Sequence, residues 1–246
     1  MTVFVTELSI KGLCCALFYA FTEKIFPDDI KGGYLHGETF VDTYVKISVD
    51  QTKYMRVKRA LIKYGGGETF TDIEVCLRSC DEKAYKVAFD YCKLILEKRR
   101  AVFTDLNDKR VSDFTYVVNK VYYERHKFTG FIRFKETASG ILYAAYSPDN
   151  DITELLCPHF VKRLSLIPFI IHDVKRGTVG VSDGKTFNIV HTKRTAELVL
   201  SEDEKSWEEL WKRYYKSVNI KERKNKKQQD NYLPVRYRKF MSETQD

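Results

Sequence analysis

Reactive residue types crowd into one stretch of this chain. Arg125, His126, Arg133, Asp149, Asp151, His159, Arg163, His172, Asp173 and Arg176 lie there, including three of the five histidines. Histidine titrates near neutrality and can act as a general acid or base. Asp149 and Asp151 flank Asn150, and such a pair can offer oxygen ligands to a divalent cation. It can equally cap a helix starting near Ile152, the commoner role for aspartate at that point, and capping is the expectation. His159 beside Phe160 reads first as a core or hydrogen-bonded histidine. An enzyme reading would use His126, Asp149, Asp151, His159, His172 and Asp173 as its catalytic set, with Arg133 or Arg176 near a phosphate.

The second concentration is charge. Between Lys212 and Lys239 there are eleven Lys and Arg residues, opposed only by Glu222 and Asp230, and Tyr214, Tyr215, Tyr232 and Tyr237 interleave. Cations neutralise phosphates and release counterions, and tyrosine rings can stack on unpaired bases. A solvated helix with a basic tail is the competing interpretation. Pro234, with tyrosines on both sides, argues for a docked tail. The net charge of +8 agrees with attraction to phosphate backbones or acidic surfaces.

Several chemistries lack their motifs. There is no phosphate-binding loop around Gly65-Gly66-Gly67, no G-x-S-x-G elbow, no H-E-x-x-H helix and no dinucleotide fingerprint. The zinc-deaminase pattern is missing too. None of the six cysteines forms a C-x-x-C pair, and Cys76 and Cys80 have no partners at zinc-ligand spacing. Reduced thiols, no metal and no cofactor are expected. The apolar run from Gly12 to Phe21 is too short to span a bilayer and lacks the flanks of a secretory signal. A buried helix and a cytoplasmic location are expected, without membrane association.

The elements that must position these residues follow from periodicity. Thr2 to Thr6 reads as a strand, and Ser9 caps a helix over roughly 10 to 25. Residues 31 to 40 read as a mobile loop, Tyr44 to Val49 as a strand, and Asp50 caps a basic helix to about Lys63. Helices follow near 69 to 79, 82 to 99 and 110 to 127, the last with Val111, Phe114, Val118 and Val121 on its core face. Phe128 to Phe134 and Ile141 to Tyr146 read as strands, and a helix covers about 152 to 163. Strands near 167–172, 178–182 and 186–191 follow, with Asp183-Gly184 as a hairpin turn. A helix from Asp203 should dock Trp207, Leu210, Trp211 and Tyr214 on the sheet. The expected fold is α+β. Residues 1–127 form a mainly helical region with an N-terminal strand. Residues 128–246 form an antiparallel α+β region with a basic C-terminal segment, and the two regions can share one core.

Blocks spread over nearly the whole chain resemble a known family. They are TVFVTELSIKGLCCALFYAF at the start, RHKFTGFIRF (125–134), GILYAAYSPDNDI (140–152), PHFVKR (158–163) and FIIHDVKRG (169–177). The end adds WEELWKRYYKSVNIKERKN (207–225) and YLPVRYRKF (232–240). This is similar to an uncharacterised bacterial family described as DNA-repair or DNA-metabolism proteins. Its members are encoded beside a radical-SAM protein, and its domain also occurs fused to a uracil-DNA-glycosylase-type domain. The resemblance implies an accessory protein that meets nucleic acid, in particular DNA, and works with a radical-SAM partner. The loop at 31 to 40 does not match, and the helices between 51 and 110 match loosely. This chain carries neither the radical-SAM cysteine motif nor the glycosylase loops, so either activity would be supplied by a partner. The family brings no established catalytic residues. Candidate nucleic-acid contacts within the blocks are Arg125, Arg133, Arg176, Arg213, Arg223, Tyr232, Arg236, Tyr237 and Arg238. Three readings stand: a nucleic-acid-binding accessory protein first, then an enzyme on nucleic acid such as a nuclease or base-processing activity, and a protein-interaction scaffold.

Overall fold

The computed structural model describes residues 1–33, 42–192, 199–218 and 225–244. The chain divides into two compact units, Met1–Tyr122 and Tyr123–Asp246. Both combine helices with a sheet, so the fold is α+β. The former loop expectation at 31 to 40 lies mostly outside the described residues, as does Arg223.

In the first unit β1 (Thr2–Thr6) is the middle strand of three, paired in parallel with β2 (Asp29–Gly32) and β3 (Thr43–Lys46). Parallel strands need long crossovers, and α1 (Ile10–Glu23) is the connection between β1 and β2. Ser9 caps α1 by accepting the Gly12 N–H. A side chain at Gly12 would place its Cβ 2.0 Å from the Glu7 carbonyl oxygen, so only glycine fits that turn. Asp50 caps α2 (Gln51–Gly65) through the Lys53 N–H, and α3 (Gly67–Cys76) and α4 (Ala84–Lys98) complete the layer. Phe4 sits fully buried with the rings of Tyr19 and Phe89 edge-on to it. The mainly helical expectation for this half thus omitted a parallel sheet.

In the second unit the strand order is β4 (Lys135–Glu136), β5 (Leu142–Tyr146), β6 (Phe169–Asp173), β7 (Thr178–Ser182) and β8 (Phe187–His191). Three of the pairings are antiparallel, but β5 and β6 run parallel. The helix between them, α6 (Thr153–Leu164), is the crossover that a parallel pair requires. It comes close to β7 because position 180 is glycine: a Cβ there would lie 2.4 Å from the Cys157 sulfur.

The strand expected at Phe128 to Phe134 is instead the end of α5 (Lys109–Phe131) followed by irregular backbone over 132–134. The pattern F-T-G-F-I-R-F fits both periods, and packing decides. Phe128 and Ile132 are buried one helical turn apart, and the Phe128 ring meets Tyr146 at 5.3 Å and Tyr237 at 4.8 Å. Beyond α7 (Glu204–Ser217) and α8 (Lys226–Tyr232), a 3-10 helix over Val235–Phe240 buries Tyr237, so the chain after Pro234 is docked.

Candidate nucleic-acid interface

Five of the expected site residues, Asp149, Asp173, Arg176, Arg236 and Tyr237, bond one another. Glu124 is 5% exposed on α5, in phase with the apolar stripe of that helix. Its carboxylate accepts the backbone N–H groups of Asp149 at 2.7 Å and Asn150 at 2.8 Å, and the Asn150 side-chain amide at 2.5 Å. The Tyr237 hydroxyl reaches Glu124 at 2.5 Å and Asp149 at 2.9 Å. Arg236 clamps the same Asp149 oxygen through Nε at 3.0 Å and a terminal nitrogen at 2.7 Å. Burial raises the Asp149 pKa, but the hydrogen bonds from Arg236 and Tyr237 outweigh it and hold the carboxyl below its ordinary value. The expected helix cap is therefore corrected. The N-cap of α6 is Ile152, without a side-chain cap, and Asp149 points its charge at the tail instead.

Arg176 ties a second carboxylate to the same loop. It bonds Asp173 at 2.8 Å, the Pro148 carbonyl at 3.2 Å and the Asp149 carbonyl. Asp173 is fully buried. Other expected phosphate contacts are similarly engaged: Arg125 with the Leu155 carbonyl, Arg133 with Glu243, and Arg238 with Asp230 and the Leu233 carbonyl. A guanidinium already paired with a buried carboxylate is a structural part, because pulling it away would leave that charge uncompensated. That holds for Arg133 and Arg176, whose partners Glu243 and Asp173 are buried; Arg125 meets only a carbonyl, and Arg236 and Arg238 meet the part-exposed Asp149 and Asp230.

The histidines of the enzyme reading occupy separate surroundings. His126 is exposed on α5. His159 packs its ring edge-on to Phe160 at 5.0 Å; burial, then Arg163 and Arg125, push its pKa down. His172 is buried, with Nδ1 2.9 Å from the Tyr143 hydroxyl, and burial lowers its pKa against the opposing effect of Asp173. Asp151 is half-buried in the loop before α6. Among the described residues no group of three His, Cys, Asp or Glu side chains is arranged to hold a metal ion. The structure thus brings Asp149 and Asp173 together through Arg176, but not the histidines with them.

What stays accessible is α7, and it docks the opposite way from the expectation. Its single buried residue is Glu204, whose carboxylate accepts the Glu136 N–H at 2.8 Å. Glu208 bonds Lys135 at 3.1 Å and also pairs with Lys212 at 3.1 Å. The helix is thus attached through its acids and through Trp211, which bonds Glu243. Its apolar stripe faces out, with Trp207 61% and Tyr214 57% exposed and Leu210 likewise exposed. Trp211 is the least exposed of the four; the Arg133 guanidinium lies 5.5 Å from the centre of its ring. Arg213 and Lys216 are exposed on this helix, as are Lys226, Lys227 and Tyr232 on α8.

Beside α7 lies a cleft of about 310 Å³ lined by residues that include Arg133, Lys135, Tyr143, Glu208, Lys239 and Phe240. Sequence reasoning did not single out Glu124, Tyr143 or Glu208. For Glu124 a signal existed: it falls on the buried stripe of α5, three residues after Val121.

Residues 82–243 match the model of DUF4130, a domain of unknown function, and the chain belongs to that family. A search of curated proteins finds no match. Among solved structures, the chain is similar to a pGpG-specific phosphodiesterase, PggH, from Vibrio cholerae. The likeness covers 89% of this chain and 99% of that one at 9% identity and a TM-score of 0.33, a level that carries no functional argument. No helix of the described residues is long and apolar enough to cross a membrane.

Proposed function

We propose that this protein binds single-stranded nucleic acid, DNA above all, along the outward face of α7, as an accessory protein in DNA repair or DNA metabolism. One observation carries the reading: α7 buries an acid and exposes its aromatics. An amphipathic helix ordinarily does the reverse. Trp207 and Tyr214 offer flat rings on which unpaired bases stack, and stacking is sequence-tolerant. Arg213 and Lys216, exposed on the same helix, supply charge for the backbone. The radical-SAM enzyme implied by the family resemblance belongs to this reading as partner, and a cytoplasmic setting as location.

The test is fluorescence anisotropy of a labelled oligothymidylate across a salt series. Replacing both Trp207 and Tyr214 with alanine should weaken binding by ten-fold or more, since each stacked base contributes about 1–3 kcal/mol. Affinity that is indifferent to salt and to both replacements would sink the proposal and leave the scaffold reading. Co-purification of a radical-SAM protein with the tagged chain would support the partner, and its failure under gentle lysis would count against it.

A further inference from the structure

We infer that the outward face of α2 is a second nucleic-acid surface, one that holds the phosphate backbone of a DNA duplex without reading its sequence. It lies in the first unit and stands independently of the reading of α7. The placement of charge is the first argument. α2 carries Lys53, Arg56, Lys58, Arg59 and Lys63 and no Asp or Glu between Gln51 and Gly65. At about 100° per residue, Lys53, Arg56, Arg59 and Lys63 fall within an arc of about 120°, over about 15 Å of helix. All four are exposed. Tyr54, Val57 and Leu61, turned away from that arc, are buried.

Charge balance is the second argument. A merely solvated helix pairs its lysines with acids one turn on, and this chain does so elsewhere. Lys86 meets Asp90 and Lys93 meets Glu97 on α4, and Lys109 meets Asp113 on α5. On α2, among the described residues, no ion pair joins any of the four cations to a carboxylate. Asp50, just before the helix, is engaged as its cap by the Lys53 backbone N–H at 2.8 Å. Arg59 and Lys63 are like charges one turn apart, an arrangement that costs helix stability until anions arrive.

The partner's chemistry follows from what the face holds and lacks. Arg56 and Lys53 lie over the Phe18 ring of α1, at 5.5 and 5.6 Å, which limits their freedom before a ligand arrives. No aromatic ring of α2 is exposed for a base to stack on: Tyr54 is buried, and Tyr64 is half-buried beneath the Lys63 ammonium. A duplex presents phosphates while its bases stay stacked inside, and its charge density is about twice that of a single strand. Insertion into a lipid surface requires an apolar face, and Ile62 is the one large apolar side chain that α2 exposes.

Anisotropy of a short labelled DNA duplex with the full chain, across a salt series, tests the surface. Replacing Arg56, Arg59 and Lys63 together with glutamine should weaken duplex binding about ten-fold or more at low salt. The slope of log affinity against log salt should fall by about 2–3, since each lost phosphate contact removes about 0.9. Arg59→Glu alone should also weaken binding, about three-fold or more, and it breaks no ion pair of the fold. Lys109→Gln, at a lysine paired with Asp113, should change neither value. A duplex that does not bind, or binds with the parent's affinity and slope in both α2 variants, overturns the inference. So does tighter binding to vesicles of equal parts phosphatidylcholine and phosphatidylserine, lost with the same three residues. Duplex binding that falls when Trp207 and Tyr214 change, and not when the α2 cations do, overturns it and leaves α7 standing. Duplex binding that follows the α2 cations, with oligothymidylate unbound, removes the α7 reading alone.

Discussion

The Tyr237 hydroxyl lies 2.5 Å from the carboxylate of Glu124, a residue 113 positions earlier in the chain. Three N–H groups from Asp149 and Asn150 already converge on that carboxylate. The tyrosine therefore completes the coordination of a buried charge that also fixes the loop before α6. Its own pKa is driven far up, first by burial and then by its bond to Glu124.

Tyr237→Phe keeps the ring against Phe128 and removes only the hydroxyl. It should destabilise the protein by about 1–3 kcal/mol, the cost of leaving buried acceptors short of a donor. Glu124→Gln should cost more, because an amide group would face the N–H donors that now meet a carboxylate. Urea denaturation of both variants measures the order, and a Tyr237→Phe midpoint equal to that of the parent would refute the structural role.

Protonation of His172 provides a pH signature. Its folded pKa lies below the ordinary 6.5, chiefly from burial. The neutral ring is favoured in the fold, so its contribution is fully present above the unfolded pKa and is lost as pH falls through the folded one. Between about pH 7 and about pH 5 the parent should lose more stability than His172→Gln. Parallel stability curves for the two proteins would show that His172 does not contribute to the acid limb.

Two pairs of basic residues should behave differently in nucleic-acid binding. Arg213→Ala with Lys216→Ala should lower the salt slope by about 1–2, as expected when one or two phosphate contacts disappear. Arg236→Ala with Arg238→Ala should chiefly lower thermal stability, because those side chains hold Asp149 and Asp230. Salt-dependent anisotropy and thermal melts on the same two double variants separate the effects. A slope change confined to the Arg236 and Arg238 variant would reverse the assignment.

The sequence was readable where local chemistry and tertiary packing agreed. Ser9 and Asp50 cap the helices they were expected to cap, and Asp183-Gly184 turns the chain between β7 and β8. Gly184 there adopts a positive φ of 90°, which glycine tolerates. Pro234 with its flanking tyrosines also pointed correctly to a docked tail, although Tyr237 is buried and Tyr232 stays exposed. Reading failed where two periods overlapped, as at Phe128 to Phe134, and where an element was too short to show a period, as at β2 and β4. It also failed at α7, because the rule that apolar stripes face inward assumes an apolar partner. The partner that α7 finds is the polar edge at Lys135 and Glu136. The arginines were recognisable as functional or structural only by type; which carboxylate each one meets depends on contacts far apart in sequence.

The link between Glu124 and Tyr237 has a consequence during synthesis. At ribosomal rates of roughly 5–20 residues per second, Glu124 emerges roughly 6–23 seconds before the tyrosine that completes its bonding. For most of that interval Asp149 also waits for Arg236, and Phe128 for the ring that covers it. The nascent second unit can assemble its sheet, but its loop before α6 is only half secured until translation reaches the 3-10 turn. A chain held before its 3-10 turn has left the ribosome would therefore display a loop that proteases can enter, and emergence of that turn would close it.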